Sequence, residues 1–252
     1  MNNIEIITGD ALIELEKLKT GSVDLVIADP PYNLNDVRGF DDYLSFSRKW
    51  LEQAHRVLKP TGTLYVFMGF RFISYLYDIL DRDLRMFFNS WIVWHYTQGM
   101  GKTKGFSPRH DDILMFTRSE EEFKFNIDSV RVPQKYFRDS NMHGANPGDV
   151  WDFSFFETRR GSHHPTQKPE GLIERMVLAS SDEGDLVVDP FSGSGTTLRV
   201  CQQLFRRAIG IEINPEYVSS TKNRLGIEFS GFDSVDPRVI FTASRECYEN
   251  DK

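Results

Sequence analysis

Asp185-Leu-Val-Val-Asp189-Pro-Phe191-Ser192-Gly193-Ser194-Gly195-Thr196-Thr197 joins a short apolar run to a glycine turn and the opening of a helix. The run has the form of a buried strand. The glycines allow the backbone to approach a ligand closely, and the helix N-terminus offers free N–H donors. The next apolar run, Arg207 to Glu212, ends about 20 residues further on in an acid, where a carboxylate can accept both hydroxyls of a ribose. No Lys follows the glycines, which disfavours a P-loop, and Leu198 stands at the third glycine position, which makes a dinucleotide fingerprint imperfect. A nucleoside without phosphate fits better.

Outward from this stretch, strands are predicted at Ile4 to Ile7, Val23 to Ala28, Thr63 to Met68, Ser90 to Tyr96, Asp112 to Thr117, Asp185 to Asp189 and Arg207 to Glu212. Several are almost continuously apolar, as strands covered by helices on both faces must be. Helical patterns lie between them at Leu12 to Leu18, Asp42 to Leu58, Phe72 to Leu80, Pro169 to Ser180, Thr196 to Leu204 and Pro215 to Leu225. Such alternation predicts a doubly wound α/β sheet. Lys59-Pro60-Thr61-Gly62 is expected to be a turn between a helix and the next strand. Thr97 to Arg109 and Ser119 to Ser162 resist the alternation, and loops of that length are usually functional or disordered. The tail after Gly226 is weakly patterned.

The 252 residues suit one α/β domain or one domain with an insertion. Nothing resembles a signal peptide or a membrane span, so a cytoplasmic location is expected. Cys201 and Cys247 have no metal-ligand or disulfide spacing; Cys201 is expected in the core, and no metal site is expected around His163 and His164. The net charge of -7 argues against indiscriminate coating of nucleic acid. His95 to Lys168, however, carries 11 Lys and Arg against 10 Asp and Glu, so a polyanion is best sought there.

The strand Val23 to Ala28 ends in Asp29-Pro30-Pro31-Tyr32. An aromatic amine is a poor nucleophile because its lone pair is delocalised into the ring. Two acceptors holding its hydrogens in tetrahedral geometry redirect that lone pair toward an electrophile. Asp29 and the carbonyl of Pro30 are candidate acceptors, Pro31 stiffens the turn, and Tyr32 can stack on a base. The contribution is orientation and charge stabilisation. Alternatively, the prolines simply end a strand and Tyr32 packs against a helix.

With both motifs present, the sequence resembles the amino-specific (N6-adenine/N4-cytosine) DNA methyltransferases, in particular the permuted, beta-class group in which the catalytic turn precedes Phe-x-Gly-x-Gly. The resemblance runs from Gly9-Asp10 to Glu212. It implies a Rossmann-like, S-adenosylmethionine-dependent methyltransferase fold: a seven-stranded, mostly parallel sheet with helices on both faces. It also implies that the strands before Asp29 and Phe191 are neighbours, with the helix Leu12 to Leu18 crossing where strand order reverses. Residues 1–118 are then a catalytic half, 119–162 a short target-recognition insertion, 163–225 a cofactor-binding half and 226–252 a C-terminal tail.

By this resemblance Asp10 lies near the cofactor adenine, Phe191 against its ring, Gly193 and Gly195 along the methionine portion, Glu212 at the ribose and Lys168 at the methionine carboxylate. Ala11, Asp29, Asp189, Ser192, Ser194, Thr196, Thr197 and Ile213 complete the expected cofactor contacts. The implied reaction is methyl transfer from S-adenosylmethionine to N6 of adenine in DNA, with N4 of cytosine and a noncatalytic DNA-binding subunit as alternatives. The implied partner is DNA; a homodimer and a cognate restriction endonuclease are compatible with it.

A base within a duplex cannot reach Asp29, so it must be extruded or already single-stranded. Lys102, Lys104, Arg109, Arg131, Lys135, Arg138, Arg159 and Arg160 are the candidate DNA contacts. Tyr136, Phe137 and Trp151 either stack on bases or pack the insertion onto the sheet.

Overall fold

The computed structural model describes residues 3–31, 39–97, 101–133, 144–154 and 167–226. Its strands are β1 (Ile4–Thr8), β2 (Val23–Ala28), β3 (Leu58–Met68), β4 (Phe87–His95), β5 (His110–Thr117), β6 (Val150–Asp152), β7 (Leu186–Asp189) and β8 (Arg207–Glu212). They form one sheet in the order β1-β8-β7-β2-β3-β5-β4-β6. The run from β1 to β3 is parallel, β5 is antiparallel to both β3 and β4, and β6 is parallel to β4. The helices are α1 (Ala11–Lys17), α2 (Phe40–Val57), α3 (Ile73–Asp78), α4 (Ile127–Val130), α5 (Glu170–Ser180), α6 (Thr196–Gln203) and α7 (Pro215–Gly226). Among the described residues, no helix is long and apolar enough to cross a membrane.

Both faces of the sheet are covered, which explains the apolar runs. Every residue of β2 is buried. Val26 and Ala28 join Leu15 of α1, Trp50 and Leu51 of α2 and Leu76 of α3 in one cluster. Leu25 and Ile27 face Leu172 and Met176 of α5 and Leu198 and Cys201 of α6 in the other. Cys201 is therefore a core residue, as expected.

The expected seven strands become eight. The additional one, β6, lies inside the 119–162 insertion and is only three residues long, with Trp151 alone buried. A segment that short displays no alternation, and it becomes a strand only because the edge of β4 offers it unpaired backbone groups. Lys59 to Gly62 is also not a free turn. It lies within β3, where the pairing with β2 passes from Val23–Leu58 to Leu25–Thr63. Asp24, the one charge in β2, holds this irregularity: it accepts from Lys59 at 2.6 Å and from the Leu186 N–H of β7 at 3.0 Å.

Strands β2 and β7 are neighbours, with Leu25 paired to Val187 and Val26 to Val188. From this pair the chain leaves in opposite directions, β2 through α2 to β3 and β7 through α6 to β8. The crevice beyond their C-terminal ends is thus the reversal point of the sheet, where open α/β folds bind ligands.

Candidate active site

The glycine loop adopts its shape for identifiable reasons. Gly193 and Gly195 both have left-handed backbones, with φ of +50° and +74°. A side chain at Gly195 would also meet Thr221 Cγ2 of α7 at 2.3 Å. Asp189 turns the loop by accepting the Phe191 N–H at 3.0 Å, while Arg224 of α7 donates to the Ser194 carbonyl at 2.9 Å. Close approach of α6 to the sheet does not need a glycine at position 198. Gly210 of β8 supplies the space instead, since a Cβ there would lie 2.7 Å from Leu198 Cδ1.

Glu212 is oriented by the same loop. One carboxylate oxygen accepts Gly193 N–H at 2.9 Å and the other accepts Asn214 N–H at 2.8 Å. Each oxygen keeps acceptor capacity toward the crevice. The Gly9 N–H donates to the Glu212 carbonyl at 3.0 Å, which brings Asp10 alongside. Asp10 caps α1 through Leu12 N–H at 2.8 Å. Behind the loop, Phe191 meets Trp50 edge-on at 5.4 Å and Phe46 at 6.1 Å.

These groups line a cavity of about 490 Å³ that also contains Asp29 and Pro31. Of the residues expected at the cofactor, Asp10, Ala11, Asp29, Lys168, Asp189, Phe191, Ser192, Gly193, Ser194, Thr196, Thr197, Glu212 and Ile213 are on its wall. Gly195 is in the loop but is not on that wall. Pro30 is buried at the tip of β2, and Tyr32 falls outside the described residues.

Lys168 is 2.5 Å from Asp29 Oδ2, in an ion pair whose side chains are 10% and 26% exposed. Its ammonium lies over the rings of Phe67 and Trp94, at 5.2 and 5.9 Å from their centroids. On the same face, Asp111, the second residue of β5, pairs with Trp94 and receives a long hydrogen bond, 3.5 Å, from the Tyr96 hydroxyl. Burial raises the Asp111 carboxyl above the usual range; Lys168 pulls it down and Asp29 pushes it up. Burial also pushes Asp189 up to about 7, against hydrogen bonds from Thr197 and Phe191, with the charges of Asp29 and Glu212 adding to the rise.

Phe67, Trp94, Tyr96 and Asp111 escaped the sequence reading. The aromatics look like any core strand residue, and the only signal for Asp111 is an acidic pair placed directly before an apolar run. Among the candidate DNA contacts, Lys102 and Lys104 are exposed and Arg109 is half-buried. Arg131 is engaged within the insertion by Asp128 at 2.6 Å and the Gly144 carbonyl at 3.1 Å. Trp151 packs: it is 6% exposed, donates to the Gly148 carbonyl at 2.8 Å and lies beneath Arg175. Lys135, Tyr136, Phe137, Arg138, Arg159, Arg160, His163 and His164 lie outside the described residues.

The sequence profile of the DNA methylase family matches residues 23–223. Type II methyltransferase M.HpaI of Haemophilus parainfluenzae is 56% identical over 244 residues, covering 93% of this chain and 78% of that protein. DNA adenine methyltransferase YhdJ of Escherichia coli (strain K12) is 37% identical over 246 residues, covering 88% and 82%. Among solved structures, TTHA0409 of Thermus thermophilus, crystallised with S-adenosyl-L-methionine, matches with a TM-score of 0.65 at 25% identity, covering 88% of this chain and 94% of that one. With a strand-tip carboxylate and a glycine loop opening into one crevice and a family match across most of its length, the chain belongs to the DNA methylases and is a DNA methyltransferase.

Proposed function

We propose that this protein transfers the methyl group of S-adenosylmethionine to N6 of adenine in DNA. The observation that carries the reading is the shared cavity: the Asp29 carboxylate and the glycine loop of residues 191–195 meet across the adjacent strands β2 and β7. The cofactor supplies a methyl group on a sulfonium, which is electrophilic. The residues present suit it. The cavity is within the range of small-molecule sites, Glu212 offers a fixed pair of acceptors for a ribose, and Phe191 and Ile213 offer apolar wall for an adenine. The match to TTHA0409, crystallised with S-adenosyl-L-methionine, supports the same cofactor.

Asp29 holds the amine in this reading. Lys168 engages Oδ2, leaving Oδ1 to accept one amine hydrogen while the Pro30 carbonyl accepts the other. The lone pair is thereby directed away from the ring plane. As the nitrogen becomes positive, the carboxylate stabilises it and takes up the proton it sheds. The 37% identity to the adenine methyltransferase YhdJ supports adenine as the target. Residues 119–162 act in target recognition, and the cations of the 101–109 loop face phosphate.

The test is transfer of labelled methyl from S-adenosylmethionine to unmethylated genomic DNA, followed by digestion to nucleosides and mapping of the modified positions. N6-methyladenine is expected. N4-methylcytosine alone would replace adenine by cytosine, and cofactor binding without transfer to any DNA would leave a noncatalytic subunit.

A further inference from the structure

We propose that Phe106, in the loop between β4 and β5, is the wedge that occupies the duplex stack when the target base moves into the Asp29 cavity. The inference rests on the reading of that cavity as a site for an extruded base. Extrusion leaves a gap between neighbouring base pairs, and proteins that distort duplexes fill such gaps with an apolar side chain flanked by cations.

Phe106 meets each requirement. It is 99% exposed, more than any other large apolar residue among those described, so no described residue covers it. Lys102 and Lys104 are exposed on the same loop. The loop has a defined closure, since Lys102 N–H donates to Ser107 Oγ at 2.8 Å. Gly105, at φ +87°, turns the chain immediately before Phe106. At the base of the loop, Arg109 is half-buried.

Position agrees with this role. The loop leaves the sheet where His95 pairs with His110. That is the edge at which β2 delivers Asp29, two strand spacings from β5 and three from β4, about 10–15 Å away. Other aromatics are less bare: Phe70, beyond the end of β3, is 64% exposed. Trp151 is buried. Phe40 and Tyr75, though partly exposed, are in ring contact with each other at 4.9 Å.

The test compares wild type with Phe106→Ala, Phe106→Leu and Phe106→Trp on two duplexes carrying the mapped methylation site. One has the target base paired; in the other it faces an abasic position and is already unpaired. Phe106→Ala should keep the wild-type melting temperature and S-adenosylhomocysteine affinity. It should lose about tenfold or more in kcat/KM on the paired duplex, and most of that loss should vanish on the abasic duplex. Phe106→Leu and Phe106→Trp should recover activity on the paired duplex. Unchanged activity of Phe106→Ala on paired DNA, or an equal loss on both duplexes, overturns the wedge alone. A wild-type protein that methylates neither duplex overturns the methyltransferase reading and the wedge with it.

Discussion

Asp29→Asn separates the role proposed for this side chain at the amine from its role in the fold. The variant keeps the shape and one acceptor but removes the anion 2.5 Å from Lys168, whose side chain is 10% exposed between two aromatic rings. Removing one partner of a buried ion pair costs about 3–5 kcal/mol. Here Asp111 also acts on Lys168 and Asp29 is partly solvated, so the expected loss is smaller, about 2–3 kcal/mol. Lys168→Met leaves the better-solvated partner behind and should cost less, about 1–2 kcal/mol. The double variant places an amide and an apolar chain against Phe67 and Trp94, and should lie within about 1 kcal/mol of wild type. Urea unfolding followed by tryptophan fluorescence measures these values by linear extrapolation. Methyl transfer should behave differently: both variants lacking Asp29 should lose about 100-fold or more, whatever their stability, while Asp29→Asn keeps its affinity for S-adenosylhomocysteine. If Asp29→Asn unfolds within about 0.5 kcal/mol of wild type, or if the two single effects simply add, the ion pair is not a structural element of this fold.

Gly195→Ala forces a side chain into a left-handed backbone, worth about 1–2 kcal/mol, and against Thr221 Cγ2 at 2.3 Å, worth about another 1–3 kcal/mol. A Thr221→Ala background removes the Cγ2 and Oγ1 contacts and leaves Cβ at 3.2 Å, so most of the steric part should vanish, which thermal unfolding of the four proteins will resolve. Asp189, with its folded-state pKa raised to about 7, holds a proton that the unfolded chain has already released above the ordinary carboxylate range. Its contribution to stability therefore falls as pH rises from about 4 to about 7 and levels off beyond, at up to about 1.4 kcal/mol per pH unit. Asp189→Asn should flatten that part of the pH dependence in urea unfolding; an unaltered slope would remove the assignment.

The parallel sheet and its covering helices were legible in the order of residues, and the meeting of the two motifs followed from the family resemblance. A strand buried on both faces must be apolar throughout, as Val23–Ala28 nearly is, and parallel strands joined by helices deliver all their C-terminal ends to one edge. Asp29 and Phe191 therefore had to emerge together once β2 and β7 were adjacent. A glycine turn at Gly193 and Gly195 was legible as well; the structure adds its left-handed backbone, which only glycine adopts without strain.

Other features depend on which surfaces come into contact, and periodicity carries no information about that. Strand β6 exists only because β4 has an open edge. The space expected of a third glycine is provided by Gly210 on another strand. Lys168 finds Asp29 across 139 positions of chain, and Asp111 joins them because β5 runs antiparallel beside β3. Trp151 and Phe106 are both aromatics in irregular segments, yet one is covered and the other bare. Local pattern specifies a residue's direction within its own element, whereas burial and charge pairing are fixed only when distant elements pack together.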